Sequence, residues 1–201
     1  GIDDRELKGA VGLDWQSPEW GIRAFAQRDF REAGDVQERS RIVNSIAAQE
    51  FGSDATDPFG VQLVGIGMDN RGWLGLRTKL DLSLERQRPL AIHATPANGS
   101  FDPVLSAARL RAQRVSLTFE RPTMTSIFGS ELRGSGELRV SHLTQDDAAF
   151  PLTTSNVARA FASVTLQRPY ENGRLAMSLA GGAVRGSAGL PPQEWLYFGG
   201  P

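Results

Sequence analysis

The chain has no cysteine, so neither a disulfide scaffold nor a Cys-based zinc site is open to it. That absence is compatible with an oxidising compartment outside the cytoplasm without requiring one. Neither sign of charge is in excess: 22 basic residues face 23 acidic ones, a formal net charge of -1. A nucleic-acid binder needs a basic surplus to neutralise phosphates, so no nucleic-acid partner is expected. No run approaches the ~20 apolar residues of a membrane-crossing helix. Helical crossing is thereby excluded; a β-barrel is not, because alternating strands break up their apolar content. Hydrophobic residues at 40% and charged residues at 22% make the chain too apolar for disorder and too polar for a bundle of membrane helices.

What is present is alternation. In residues 72–86 the even positions carry Leu74, Leu76, Thr78, Leu80, Leu82 and Leu84, and the odd ones Arg77, Lys79, Asp81, Ser83 and Glu85. Strand side chains point to opposite faces in turn, so this segment has one apolar and one charged face; a helix would scatter the leucines around its circumference. The pattern recurs. Trp20, Ile22, Ala24, Ala26 and Phe30 oppose Arg23, Gln27, Asp29 and Arg31. Val115, Leu117 and Phe119 oppose Arg114, Ser116, Thr118 and Glu120. Phe128, Leu132, Leu138 and Val140 oppose Glu131, Arg133, Glu137 and Arg139. Ala158, Ala160, Ala162, Val164 and Leu166 oppose Arg159, Ser163, Thr165 and Gln167. Residues 174–187 alternate more weakly, and in 59–68 both faces are mixed.

Asp69-Asn70-Arg71-Gly72 and Glu171-Asn172-Gly173 read as tight hairpin turns. Long polar stretches over 33–58, 88–106 and 145–155 alternate with them, the first with room for a short helix at 40–51. Short turns at one end and long loops at the other are the arrangement of an outer-membrane barrel. A soluble β-sandwich also alternates, but its strands run to ~5–6 residues, shorter than most of these. Mixed-sign charge on the polar face suits a wet lumen, where cross-strand pairs form. Trp20, Trp73, Phe128 and Trp195 fall near strand ends, where an interfacial aromatic girdle would sit. The expectation is therefore an all-β, antiparallel up-and-down meander of about seven or eight strands, a partial outer-membrane β-barrel over 1–201. Leu74, Leu76, Leu80, Leu82 and Leu84 would face lipid. Arg77, Lys79, Asp81, Glu85, Glu131, Arg133, Glu137 and Arg139 would face the lumen.

Residues 173–201 carry a further signal. Leu190-Pro191, then Trp195, Leu196, Tyr197, Phe198, Gly199 and Gly200, resemble the bacterial surface antigen family, the barrel of outer-membrane assembly factors and two-partner-secretion transporters. In that family a Leu-Pro-like element, a short aromatic strand and a Gly-Gly pair precede an Arg-Gly-aromatic signature, in a loop that folds back into the lumen. The chain ends before that signature. It begins at Gly1 and stops just after a strand-like run, so a piece of a longer barrel of about sixteen strands is expected. The resemblance implies insertion or secretion of proteins at the bacterial outer membrane, with membrane lipid and unfolded or translocating protein as partners. A passive porin-like channel and a soluble sandwich that binds a ligand remain the alternatives.

No enzymatic chemistry emerges, and no cofactor or metal is expected. His93 and His142 stand alone, without metal-ligand spacing. Asp54, Asp57, Asp146 and Asp147 read as solvated turn acids rather than calcium ligands. Ser141 and His142 are neighbours in one strand and face opposite sides, so they cannot form a dyad. No Gly-x-Ser-x-Gly elbow occurs. The run Gly181-Gly182 reads as small residues that let a neighbour approach, since no phosphate-loop lysine follows.

Overall fold

The computed structural model describes residues 8–32, 58–73, 75–90, 107–125, 129–145, 154–186 and 190–196. Within them the fold is a single antiparallel sheet of eight strands, each paired with its neighbour in sequence. The strands are β1 (Gly9–Gln16), β2 (Trp20–Glu32), β3 (Pro58–Trp73), β4 (Leu76–Pro89), β5 (Leu110–Thr125), β6 (Glu131–Gln145), β7 (Thr154–Tyr170) and β8 (Gly173–Gly186). The sheet is open, with β1 and β8 as its edges. The all-β up-and-down meander is as expected, with eight strands.

Three local readings change. The tight turn placed at 69–72 lies further on: β3 runs to Trp73 and the chain reverses around Gly75, whose φ of +70° suits glycine. Asn70 is spent in the ladder opposite Thr78. β1, which the alternation analysis did not single out, pairs with β2 through a hairpin held by Ser17, whose hydroxyl accepts from the Trp20 amide at 3.2 Å and donates to its carbonyl at 2.9 Å. The 59–68 segment, whose two faces read as mixed, belongs to a 16-residue strand; at its long-loop end Phe59, Val61 and Leu63 fill a cluster on the covered face while Gly60 and Gln62 stand on the bare one. The turn at Glu171-Asn172 stands as read. The possible helix at 40–51 lies outside the described residues, as do His93, Asp54, Asp57, Asp146, Asp147 and Phe128.

All short connections fall at one end of the sheet and all long ones at the other. At the long-loop end one face is covered. Phe59, Val61 and Leu63 pack with Ala107, and Ala108, Leu110, Ala112, Leu143 and Val157 form a second cluster against Val184 and Leu190. The opposite face is bare. Val64, Ile66, Leu82, Leu84, Val115, Val140 and Leu179 are all exposed, Leu84 at 59% and Leu179 at 73%. On the covered face, by contrast, Glu85 and Arg114 keep only 7% and 4% of their surface. The usual order of a soluble sheet, apolar inside and charged outside, is reversed.

The apolar belt also has a slope. The ladder row through Leu13 runs Ala24, Ile66, Leu82, Val115, Val140, Ala158, Arg185. The middle of the exposed apolar run follows that row on β1 and β3, at Leu13 and Ile66. It then drifts towards the short turns: Leu80 on β4, Leu117 on β5, Gly136 on β6, Ala162 on β7. On β8 it reaches Leu179, six residues from the row's own Arg185. At ~3.3 Å per residue and ~4.8 Å per strand, six residues in seven steps is a slope of roughly 30°. A barrel whose strands tilt against its axis staggers its register in this way, so that a level belt crosses the ladder obliquely.

Candidate functional site

The covered face holds a buried ion-pair network centred on Arg114 of β5. Its Nε donates to Glu85 Oε2 at 2.8 Å, and its Nη1 donates to Ser141 Oγ at 2.9 Å and to Glu194 Oε2 at 3.1 Å. Nη2 donates to Glu194 Oε1 in a tight contact. Glu85 also accepts from Gln87 Nε2 at 3.1 Å and from Arg31 Nη1 at 3.2 Å. One guanidinium thus joins a carboxylate of β4, a hydroxyl of β6 and a carboxylate of the trailing segment. Pairing of this density is what lets full charges sit out of water.

Glu194 comes from residues 190–196, which lie on this face. Pro192–Glu194 form one turn of 3₁₀ helix, and Gln193 clamps the backbone of Ala108, its Oε1 accepting from the amide at 3.1 Å and its Nε2 donating to the carbonyl at 2.8 Å. Leu190 and Leu196 dock against glycines of β8. A Cβ on Gly182 would stand 3.2 Å from Leu196 Cδ1 and 2.6 Å from the Ala160 carbonyl oxygen. Gly182→Val should therefore dislodge Leu196 and cost about 1–3 kcal/mol. Gly181→Val, with nothing within 4 Å, should be tolerated. Denaturant titration of the two variants, with limited proteolysis at 187–196, tests the contrast; equal behaviour would mean the segment does not rest on Gly182.

The charges singled out from sequence have unequal fates. Glu85 is in the buried network, and Asp81 accepts from Arg23 Nη2 at 2.7 Å with Lys79 Nζ 3.7 Å away. Arg139 Nη2 donates to Glu137 at 2.6 Å. Arg77, Glu131 and Arg133 share the face but stay exposed near the short-turn end. Sequence reasoning put Arg114 and Arg31 on the polar face without marking either as part of a centre, and missed Gln87, Gln193 and Glu194. Nothing local distinguishes Glu194, which is 80 residues from its partner.

Of the leucines, Leu82 and Leu84 are exposed and Leu76 and Leu80 half-exposed on the bare face; Leu74 lies outside the described residues. Trp15 and Trp20 meet on that face at the short-turn end with ring centroids 4.7 Å apart, and Tyr170 is exposed at the same end of β7. Trp195 does not join them: its indole N–H donates to the Leu190 carbonyl at 3.0 Å, closing the docked segment on itself. Pro191 and Pro192, which lack the amide hydrogens a ladder needs, lead into the 3₁₀ turn; of the aromatic strand expected from Trp195 on, only Trp195 and Leu196 are described, and neither is in a strand. Tyr197, Phe198, Gly199 and Gly200 fall outside the described residues, and the side chain of Trp73 is not described. Ser141 is buried beside Arg114 while His142 is exposed and 2.8 Å from Asn156 Oδ1, on opposite faces as expected. No protein-family model, curated protein or solved structure matches this chain.

Proposed function

We propose that the sheet is part of the wall of a bacterial outer-membrane β-barrel of the assembly or translocation type, with the bare apolar face towards lipid and the ion-paired face towards the lumen. The observation that carries this reading is the reversal of faces: leucines and valines exposed, Arg114, Glu85 and Glu194 buried. In water, each exposed leucine of the belt would forgo about 1.5–3 kcal/mol of burial, whereas hydrocarbon removes that loss. The oblique belt and the tryptophan pair at one end support the same geometry. Among the described residues nothing packs over the belt as a second sheet or a helix would.

The translocation part of the reading rests on two supports. One is the resemblance of Leu190–Gly200 to the surface antigen barrels. The other is the 190–196 segment, which lies on the face assigned to the lumen and is anchored there by charge and by glycine-sized notches. A segment so placed narrows a lumen, which favours a gated translocator over a constitutive pore.

These 201 residues hold no cysteine, so a label introduced among them marks a single site and makes the orientation testable. Nitroxide labels at Leu82→Cys and Leu179→Cys, in the full-length protein reconstituted in phospholipid vesicles, should relax with lipid-soluble oxygen. Labels at Ser83→Cys and Ser116→Cys should respond to a water-soluble nickel chelate instead. The same accessibility for both sets would remove the membrane assignment. Conductance in planar bilayers then separates the two barrel types: a plugged translocator should stay mostly closed, and a steady open conductance would favour the porin reading.

A further inference from the structure

Three asparagines lie among the described residues, and their surroundings differ. Asn70 stands in the ladder between Trp20 and Thr78. Asn156 pairs with His142, whose Nδ1 lies 2.8 Å from its Oδ1, and the β-branched Val157 follows it. Asn172 is held by neither means. It is the second residue of the two-residue turn between β7 and β8, exposed together with Glu171 and Gly173. No hydrogen bond or ion pair among the described residues holds its side chain. Gly173 follows it and stands opposite Tyr170 in the last pair of the ladder, where a hairpin opens most easily. A Cβ built on Gly173 would meet nothing within 4 Å, and its φ is not in the left-handed region. The turn therefore needs glycine at 173 neither for space nor for conformation. What the missing side chain does is leave the Gly173 amide nitrogen unshielded next to the Asn172 side chain.

We propose that Asn172 is a site of spontaneous deamidation through a cyclic imide. The Gly173 amide nitrogen gives its proton to hydroxide and attacks Cγ of Asn172. The new N–C bond closes a succinimide ring, and the side-chain nitrogen takes a proton from water and leaves as ammonia. Water then opens the ring at one of its two carbonyls. Opening at the former side-chain carbonyl restores the backbone and leaves an aspartate. Opening at the main-chain carbonyl leaves an isoaspartate, whose backbone runs through the former side chain. Water is consumed, ammonia is released, and nothing is oxidised or reduced. The rate comes from placement, since nucleophile and electrophile sit on adjacent residues of a turn that no side-chain contact locks. Either product sets a second carboxylate beside Glu171. Isoaspartate also adds a methylene to the backbone of a turn whose length fixes the register of β7 against β8. The inference is independent of the membrane reading, because a short turn at the rim of the sheet meets water in either case.

The test keeps the full-length protein folded in phospholipid vesicles at mildly alkaline pH and follows it by peptide mass spectrometry. Methyl labelling by an isoaspartate methyltransferase gives a second readout. Residue 172 should gain the mass of an amide-to-acid exchange and accept the label, while Asn70 and Asn156 stay intact. Gly173→Ala should slow the change about tenfold, because the added methyl hinders the approach of the nitrogen. The open space around Gly173 lets that variant keep the hairpin, so the comparison reads chemistry and not unfolding. Amide hydrogen exchange around Tyr170 and Arg174 should be faster in the isoaspartate fraction than in Asn172→Asp, which carries the same charge without the extra methylene. An intact Asn172 in the folded protein, over a period in which the urea-unfolded chain is modified there, overturns the site, since the hairpin then blocks the attack. Modification of Gly173→Ala at the wild-type rate, or of Asn156 as fast as Asn172, overturns it too. Equal exchange in the isoaspartate and Asn172→Asp forms overturns the effect on register.

Discussion

Leu80→Arg should lower the folding free energy of the bilayer-inserted protein by about 2–4 kcal/mol, while Lys79→Gln on the opposite side of the same strand stays within about 0.5 kcal/mol. Leu80 lies at the middle of the apolar run on β4, between Met68 and Leu117 in its row. In hydrocarbon an arginine there has no water to solvate it and no neighbouring carboxylate, since the face holds none among its described side chains. The cost is greatest at the middle of the belt and declines towards its rims. Lys79 is half-exposed, and its contact with Asp81 is long, so its loss leaves Asp81 still held by Arg23. Urea unfolding from phospholipid vesicles measures both. The contrast has a built-in alternative: were the face turned to water instead of lipid, Leu80→Arg would stay within about 0.5 kcal/mol, because the guanidinium would remain solvated. In lipid, Leu80→Ala should be the milder change.

Arg114→Met should be the most damaging substitution on the polar face, at about 3–5 kcal/mol. The methionine keeps the stem volume but strands two buried carboxylates, Glu85 and Glu194, and the Ser141 hydroxyl. Glu85 retains Arg31 and Gln87, so the larger share of the loss falls on Glu194. The variant should therefore release the 190–196 segment before the sheet itself unfolds, visible as cleavage near residue 190 in a folded barrel. R114M combined with Glu194→Gln should recover part of the loss, because the stranded charge is gone; the coupling between the two sites comes from the full double-mutant cycle. Independent, additive effects would show that the two side chains do not act as one unit. Release of the segment should also raise conductance in planar bilayers, which connects this network to the proposed gating of a lumen.

The strands were legible where alternation was clean. β2, β4, β6 and β7 were found with small errors at their ends, and β5 by its middle, because an apolar residue at every second position leaves a helix no coherent face. β3 was obscured by Phe59, Val61 and Leu63, which fill a local cluster on the polar face at the long-loop end, so both faces of that stretch read as mixed. Its turn was misplaced because Asn70 and Gly72 are good turn formers, yet pairing with β4 continued through Asn70 opposite Thr78 before the chain reversed. The docked segment was legible only as a resemblance. Its two prolines fit the 3₁₀ turn they lead into, but nothing in them tells where the segment docks.

By itself, the sequence determined the period of two, the hairpin at Glu171-Asn172, and which residues share a face on each strand. Those follow from local stereochemistry, since successive side chains of an extended chain must point to opposite sides. It did not determine which face is covered, because a period of two is unchanged when inside and outside are exchanged. The tertiary structure decided that, along with two groupings no local pattern encodes. Arg114 meets Glu194 only because residues 190–196 return across the sheet. Arg28, Arg86 and Arg111 fall in one row only because the register of three successive ladders sets them side by side. Register is a property of strand pairs, fixed by the hydrogen bonds and side-chain contacts of both partners at once, and so it appears only when the strands are laid together.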